Sequence, residues 1–153
     1  MHTGTHIVRN ILLRGEKING FHIPELERRV QGCLDSMDGL VVSPLRHPAR
    51  VAESFKRRGS DVERFFLQWS HFMRYFAPRV DLYIHVDHPC RDSEVESLAD
   101  LLGKPISYDW AVTVESGSRQ DTHALDIQNC TIEIPDSFSE FYGQTLPVGF
   151  RGA

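Results

Sequence analysis

Two short apolar runs constrain this chain more than any other feature. Gly39-Leu40-Val41-Val42-Ser43 is a continuous apolar stretch, the mark of a strand buried in a parallel sheet, and Val80–Val86 reads as a second strand. Between them lie two stretches of helical character. Pro48 opens a helix through about Arg57, and Gly59-Ser60-Asp61 separates it from Val62–Phe76. The aromatics Phe65, Phe66, Trp69, Phe72, Tyr75 and Phe76 predict that this second helix is central and packed. Helix and strand alternate, which implies an α/β layer fold with a mainly parallel sheet. The first strand is expected to stop at Pro44.

The flanks extend the same alternation. Thr5–Leu13 carries Ile7, Val8, Ile11 and Leu12 at helical spacing, with Thr3 or Thr5 as cap. Lys17–Ile23 reads as a short strand ending near His22, and Pro24-Glu25-Leu26-Glu27 opens a helix to about Ser36. Downstream, Ser93–Leu102 is a predicted helix stopped by Gly103, with Pro105 beyond it. Glu115–Thr122 is a polar loop, Leu125–Ile134 alternates like one strand or a tight hairpin, and Asp136–Tyr142 forms a short final helix. With no repeats or low-complexity segments, residues 1–153 are expected to form a single domain, long enough to bury a core without staples.

Charge and cysteines narrow the function classes. A formal charge of −4 argues against nucleic acid as a partner, although Arg46, Arg50, Lys56, Arg57 and Arg58 form a local basic cluster. No apolar run reaches membrane-spanning length and no basic-then-apolar leader is present, so a cytoplasmic protein with no membrane partner is expected. Cys33, Cys90 and Cys130 are odd in number, widely spaced and without a CxxC pair. Free buried thiols are therefore expected rather than disulfides or a thiolate zinc site.

Two stretches suggest anion binding. In MHTGTHIVRNIL a Gly-Thr pair leads into a helix, where backbone N–H groups and the hydroxyls of Thr3 and Thr5 can cradle an anion close to Gly4. The pattern GxxxxGK[ST] is absent, which disfavours an ordinary ATP- or GTP-hydrolysing site. In LVVSPLRHPARVAESFKRRG, Arg46 follows a strand and Ser54 lies eight positions on in a helix, a separation suited to one shared phosphate.

RHPARVAES, from Arg46 to Ser54, resembles the R-x-P-x-x-V-x-x-S segment of the sulfotransferase family that uses 3′-phosphoadenosine 5′-phosphosulfate (PAPS), with Pro48 and Val51 in place. HTGTHIVRNIL is similar to that family's K-S-G-T-T loop, and GFHIPELERRV to its T-H-L-P segment, in the same order. FLQWSHFMRYF, VDLYIHVD and SEVESLADLLGKPI resemble the family's later helix, strand and helix, so the likeness spans roughly residues 1–106.

The resemblance implies a three-layer α/β/α fold of the P-loop nucleoside triphosphate hydrolase type, here without the strand that precedes the loop. It implies sulfuryl transfer from PAPS to a hydroxyl or amine of a small-molecule or glycan acceptor. Arg46 and Ser54 would hold the 3′-phosphate; Thr3, Gly4, Thr5 and His6 would cradle the 5′-phosphosulfate. His22 would take the acceptor proton. His2 stands where the family has its loop lysine, a role that imidazole fills only when protonated. Phe150-Arg151-Gly152 is a remnant of the family's R-K-G loop, and the scheme needs no metal.

Other readings stay open. The chain is compatible with a catalytically impaired nucleotide binder, with a homo-oligomer, or with a degenerate domain used for protein interaction. In an atypical P-loop kinase or hydrolase, Asp87 would position Mg²⁺. A metal reading uses His2 and His6, four apart, and His85 and His88 flanking Asp87, with no third ligand set by local spacing.

Overall fold

The strands Val42–Leu45 (β1) and Leu82–His85 (β2) pair in parallel, in register from Val42 opposite Leu82 to Leu45 opposite His85. They belong to a computed structural model that describes residues 39–106 and 130–152. The expected parallel α/β arrangement is present, among the described residues as a two-stranded sheet packed with four helices. The expected elements at Thr5–Leu13, Lys17–Ile23 and Pro24–Ser36 and the loop Glu115–Thr122 lie outside the described residues.

Pro44 does not end β1 as expected; the strand runs one residue past it. The ladder shows why. Val41 and Leu45 both offer their carbonyls to β2, to the amides of Leu82 and Val86. Parallel strands alternate the side on which they bond, so Pro44 lies in the opposite phase. Its missing N–H therefore removes no bond to β2, and proline is tolerated there. β2 is shorter than the predicted run, because Val80 and Asp81 form the approach to the strand. There the Val41 N–H donates to Asp81 Oδ2 at 2.8 Å.

The helices α1 (Pro48–Arg57) and α2 (Val62–His71) connect the strands. Pro48 sits in the first turn of α1, where its missing N–H costs nothing, and the Asp61 carboxylate caps α2 through the Glu63 N–H. The predicted long aromatic helix continues past His71 as a π-helical turn, Phe72–Phe76, then tightens to a 3₁₀ turn at Ala77–Arg79. Pro78 has no N–H for an α ladder, and the helix ends there.

The third helix, α3 (Arg91–Leu102), ends at Gly103 as expected, with the glycine left-handed at φ 69°. Bonds from the Gly103 and Lys104 amides to Asp100 and Ala99 close a Schellman motif.

The fourth helix, α4 (Asp136–Thr145), extends three residues beyond the predicted end, and a 3₁₀ turn follows at Val148–Phe150. The described part of the predicted Leu125–Ile134 strand is not a strand. Thr131 is instead clipped onto α1: its N–H and hydroxyl donate to Glu53 Oε1, and Lys56 Nζ donates to Thr131 Oγ1 at 2.6 Å. Side-chain bonds have taken the place of a ladder.

Both faces of the sheet are buried. One carries Leu45 and Tyr83 against Val51, Phe55, Phe65, Trp69, Phe138 and Tyr142 from α1, α2 and α4. The other carries Val42, Leu82 and Ile84 against Val95 and Leu98 of α3. Phe65, Trp69 and Phe138 form the centre of the larger core, with ring centroids 5.7–6.2 Å apart. No helix among the described residues is long and apolar enough to cross a membrane.

Candidate functional site

In a parallel sheet the chain leaves every strand at the same edge, and loops from separate strands meet there. Arg46 and His47 follow β1, while Val86, Asp87 and His88 follow β2. Pro48 and Arg50 belong to the opening turn of α1, whose positive end of the dipole faces the same edge.

Asp87 is the hub. Its Oδ2 lies 3.6 Å from Arg50 Nε and 3.9 Å from Arg46 Nε, and its Oδ1 accepts from the Tyr142 hydroxyl at 3.4 Å. Two guanidinium groups thus lie near one carboxylate. The Asp87 side chain is 9% exposed, yet Oδ2 makes no hydrogen bond among the described residues, and neither does Arg50 Nε. Arg50 Nε and Asp87 Oδ2 are held near one another as ions without a hydrogen bond between them.

His47 and Tyr142 wall this cluster, with ring centroids 5.0 Å apart and edge to face. His47 Nδ1 accepts from the Ala49 N–H at 3.2 Å, so the neutral ring carries its proton on Nε2. Burial lowers the His47 pKa; the Asp87 charge opposes the shift and Arg50 adds to it. Burial, then the Asp87 charge, pushes the Tyr142 phenol far above its ordinary value, so it stays a neutral donor.

Behind Tyr142 lies a second cluster. Glu94 Oε1 meets His85 Nδ1 at 2.5 Å, while Glu94 Oε2 accepts the His85 backbone N–H at 2.7 Å. His85 Nε2 meets Thr145 Oγ1 at 2.9 Å, and the Thr145 hydroxyl donates to the Tyr142 carbonyl at 2.7 Å. Cys90 lies beside the pair; burial and the Glu94 carboxylate push its thiol pKa up to about 12.

The structure sorts the sequence candidates in three ways. Thr3, Gly4, Thr5 and His6 of the expected phosphosulfate loop lie outside the described residues, as do His2 and His22. Arg46 lies at the sheet edge as expected, where its partner in facing Asp87 is Arg50. Ser54 is buried on α1 with Val51 and Phe55. It sits six residues beyond Pro48, or ~9 Å along the helix axis.

The basic cluster is not one patch. Arg46 and Arg50 lie at one end of α1 and Lys56, Arg57 and Arg58 at the other, with Arg50 and Lys56 ~9 Å apart along the helix axis. Arg151 of the R-K-G remnant donates from Nε to the Leu146 carbonyl at 2.7 Å. Its neighbour Phe150 packs edge-on against His88, 5.7 Å between centroids, bringing this segment to the same edge of the sheet.

Sequence reasoning missed Arg50 as a site residue, and Tyr142, Glu94 and Thr145 altogether. Arg50 had a local signal, being one helical turn from Arg46. Glu94 had a weaker one, being one turn from Cys90. Tyr142 and Thr145 had none. Comparison of the chain with protein-family models, with curated proteins and with solved structures finds no match.

Proposed function

We propose that the chain is a small PAPS-dependent sulfotransferase-like protein, which binds the nucleotide at the carboxyl edge of its sheet and transfers the sulfuryl group to a hydroxyl or amine acceptor. One observation carries this reading. Arg46, the first residue of the RHPARVAES segment, stands with Arg50 beside the Asp87 carboxylate, at the edge where parallel sheets receive anionic ligands. A phosphate there gains charge-assisted bonds from guanidinium groups that Asp87 helps to orient.

The motif's other positions have roles consistent with that one. Pro48 starts α1 at the loop's end, Val51 is fully buried and seats the helix on the core, and Ser54 lies on the same buried face. In this reading the sheet is part of a three-layer fold of the P-loop type. Thr3, Gly4, Thr5 and His6 supply the 5′-phosphosulfate loop, His2 replaces its lysine, and His22 is the general base. The kinase or hydrolase alternative is weaker at Asp87, because two nearby guanidinium groups disfavour a magnesium ion there.

Calorimetric titration with adenosine 3′,5′-bisphosphate, the product of PAPS, tests the reading. Binding in the micromolar range is expected, with Arg46→Ala removing most of it and Arg57→Ala, at the far end of α1, leaving it intact. No binding by the unaltered chain overturns the proposal. Once an acceptor is found, His22→Ala is expected to abolish turnover while retaining nucleotide binding. Loss of both would make His22 a structural residue.

A further inference from the structure

His85, Cys90 and Glu94 are an unusual group to bury together. Their relative exposures are 0%, 0% and 4%, and one ligating atom from each lies within 4.8 Å of the others. The elements explain the convergence. His85 ends β2, Cys90 immediately precedes α3, and Glu94 is one helical turn further on the same face as Cys90.

The hydrogen-bond directions around His85 define what the cluster lacks. The Thr145 hydroxyl has one proton, donated to the Tyr142 carbonyl, so Thr145 Oγ1 accepts at 2.9 Å and His85 Nε2 must carry a hydrogen. The Nδ1 lone pair therefore faces Glu94 Oε1, and the short contact between them holds a single shared proton. The Cys90 thiol brings a second proton to the same carboxylate. Two exchangeable protons thus converge on one buried acid.

We propose that His85 Nδ1, Cys90 Sγ and Glu94 Oε1 bind one divalent transition-metal ion, zinc by preference, in exchange for those two protons. The exchange balances. The His85–Glu94 pair gives up its shared proton and the thiol its own, leaving neutral imidazole, carboxylate and thiolate with M²⁺. The net charge of the site is zero before and after, as a buried site requires. Thiolate, imidazole and carboxylate together suit zinc better than calcium or magnesium.

The surrounding bonds are those a metal-bound histidine needs. Thr145 fixes the tautomer and ring orientation through Nε2, and the His85 N–H anchors Glu94 Oε2 so that Oε1 is the ligating atom. Ligand atoms around tetrahedral zinc stand about 3.3–3.8 Å apart, so Nδ1 and Oε1 must separate by ~1 Å on binding. Rotation of the Glu94 side chain supplies that. This site is distinct from the Arg46–Asp87 cluster and does not depend on the nucleotide reading.

Cobalt titration of the chelator-stripped full chain, followed by zinc competition, tests the proposal. One equivalent of Co²⁺ is expected to produce a thiolate-to-metal charge-transfer band that Zn²⁺ abolishes. Cys90→Ala is expected to lose the band, while the double variant Cys33→Ala/Cys130→Ala keeps it, which covers the case of a Cys90 variant that fails to fold. Thr145→Val is expected to weaken the metal about 10–100-fold through the lost Nε2 partner. Absence of the band in the unaltered chain, or its loss from the Cys33/Cys130 double variant, overturns the proposal.

Discussion

His47 shows how one side chain serves several structural demands. It caps α1 through Nδ1, lies against Tyr142, and sits near both Asp87 and Arg50. Burial holds its pKa below the ordinary value, so on acidification the unfolded chain binds the proton first. The stabilising contribution of a neutral His47 is present above about pH 6.5 and is lost as pH falls through the lower folded value. Urea unfolding at about pH 7.5 and pH 5.5 is expected to show weaker folding at the acid value, with the difference reduced in His47→Asn, which keeps a capping side chain. An unchanged difference would place the acid sensitivity elsewhere. Arg46 is legible at this scale because a strand-end arginine before proline is a local pattern. The role of His47 is not, since no local spacing brings Tyr142 or Asp87 to it.

At the scale of elements, boundaries were legible where capping chemistry sets them. Pro48 and Asp61 start their helices, and Gly103 stops α3. Gly103 and Gly143 turn that chemistry into opposite expectations. A Cβ at either position meets nothing within 4 Å, so backbone preference alone decides the outcome. Gly103 has φ 69°, where an L side chain is strained, and Gly103→Ala is expected to lose about 1–2 kcal/mol. Gly143 lies inside α4, and Gly143→Ala is expected to gain up to ~1 kcal/mol. Thermal unfolding of the two variants checks both signs, and shifts in the same direction would contradict the assignment. Pro44 reads locally as a strand stop, yet β1 runs through it to Leu45. Ladder phase, which depends on the partner strand, overrides that local rule.

For the whole molecule, α4 is the element most dependent on distant partners. Phe138 contacts Phe65, Phe66 and Trp69, while Tyr142 reaches Asp87 and His47. Phe138→Ala is expected to cost about 3–5 kcal/mol, as for other buried aromatics. Hydrogen exchange should show amides 136–145 losing protection ahead of β1 and β2. Equal loss across the chain would mean that α4 does not open as a separate unit.

The sequence alone determined both ends of α1, the start of α2, the stop of α3 and the parallel pairing of two apolar strands. Those depend on caps, breakers and periodicity within a few residues. Tertiary structure decided which side chains share a site. His85 and Glu94 are nine positions apart, Tyr142 and Asp87 fifty-five, and His85 and Thr145 sixty. Over such separations no local pattern encodes proximity. Burial favours mutual hydrogen bonding where the groups meet, as His85, Glu94 and Thr145 do.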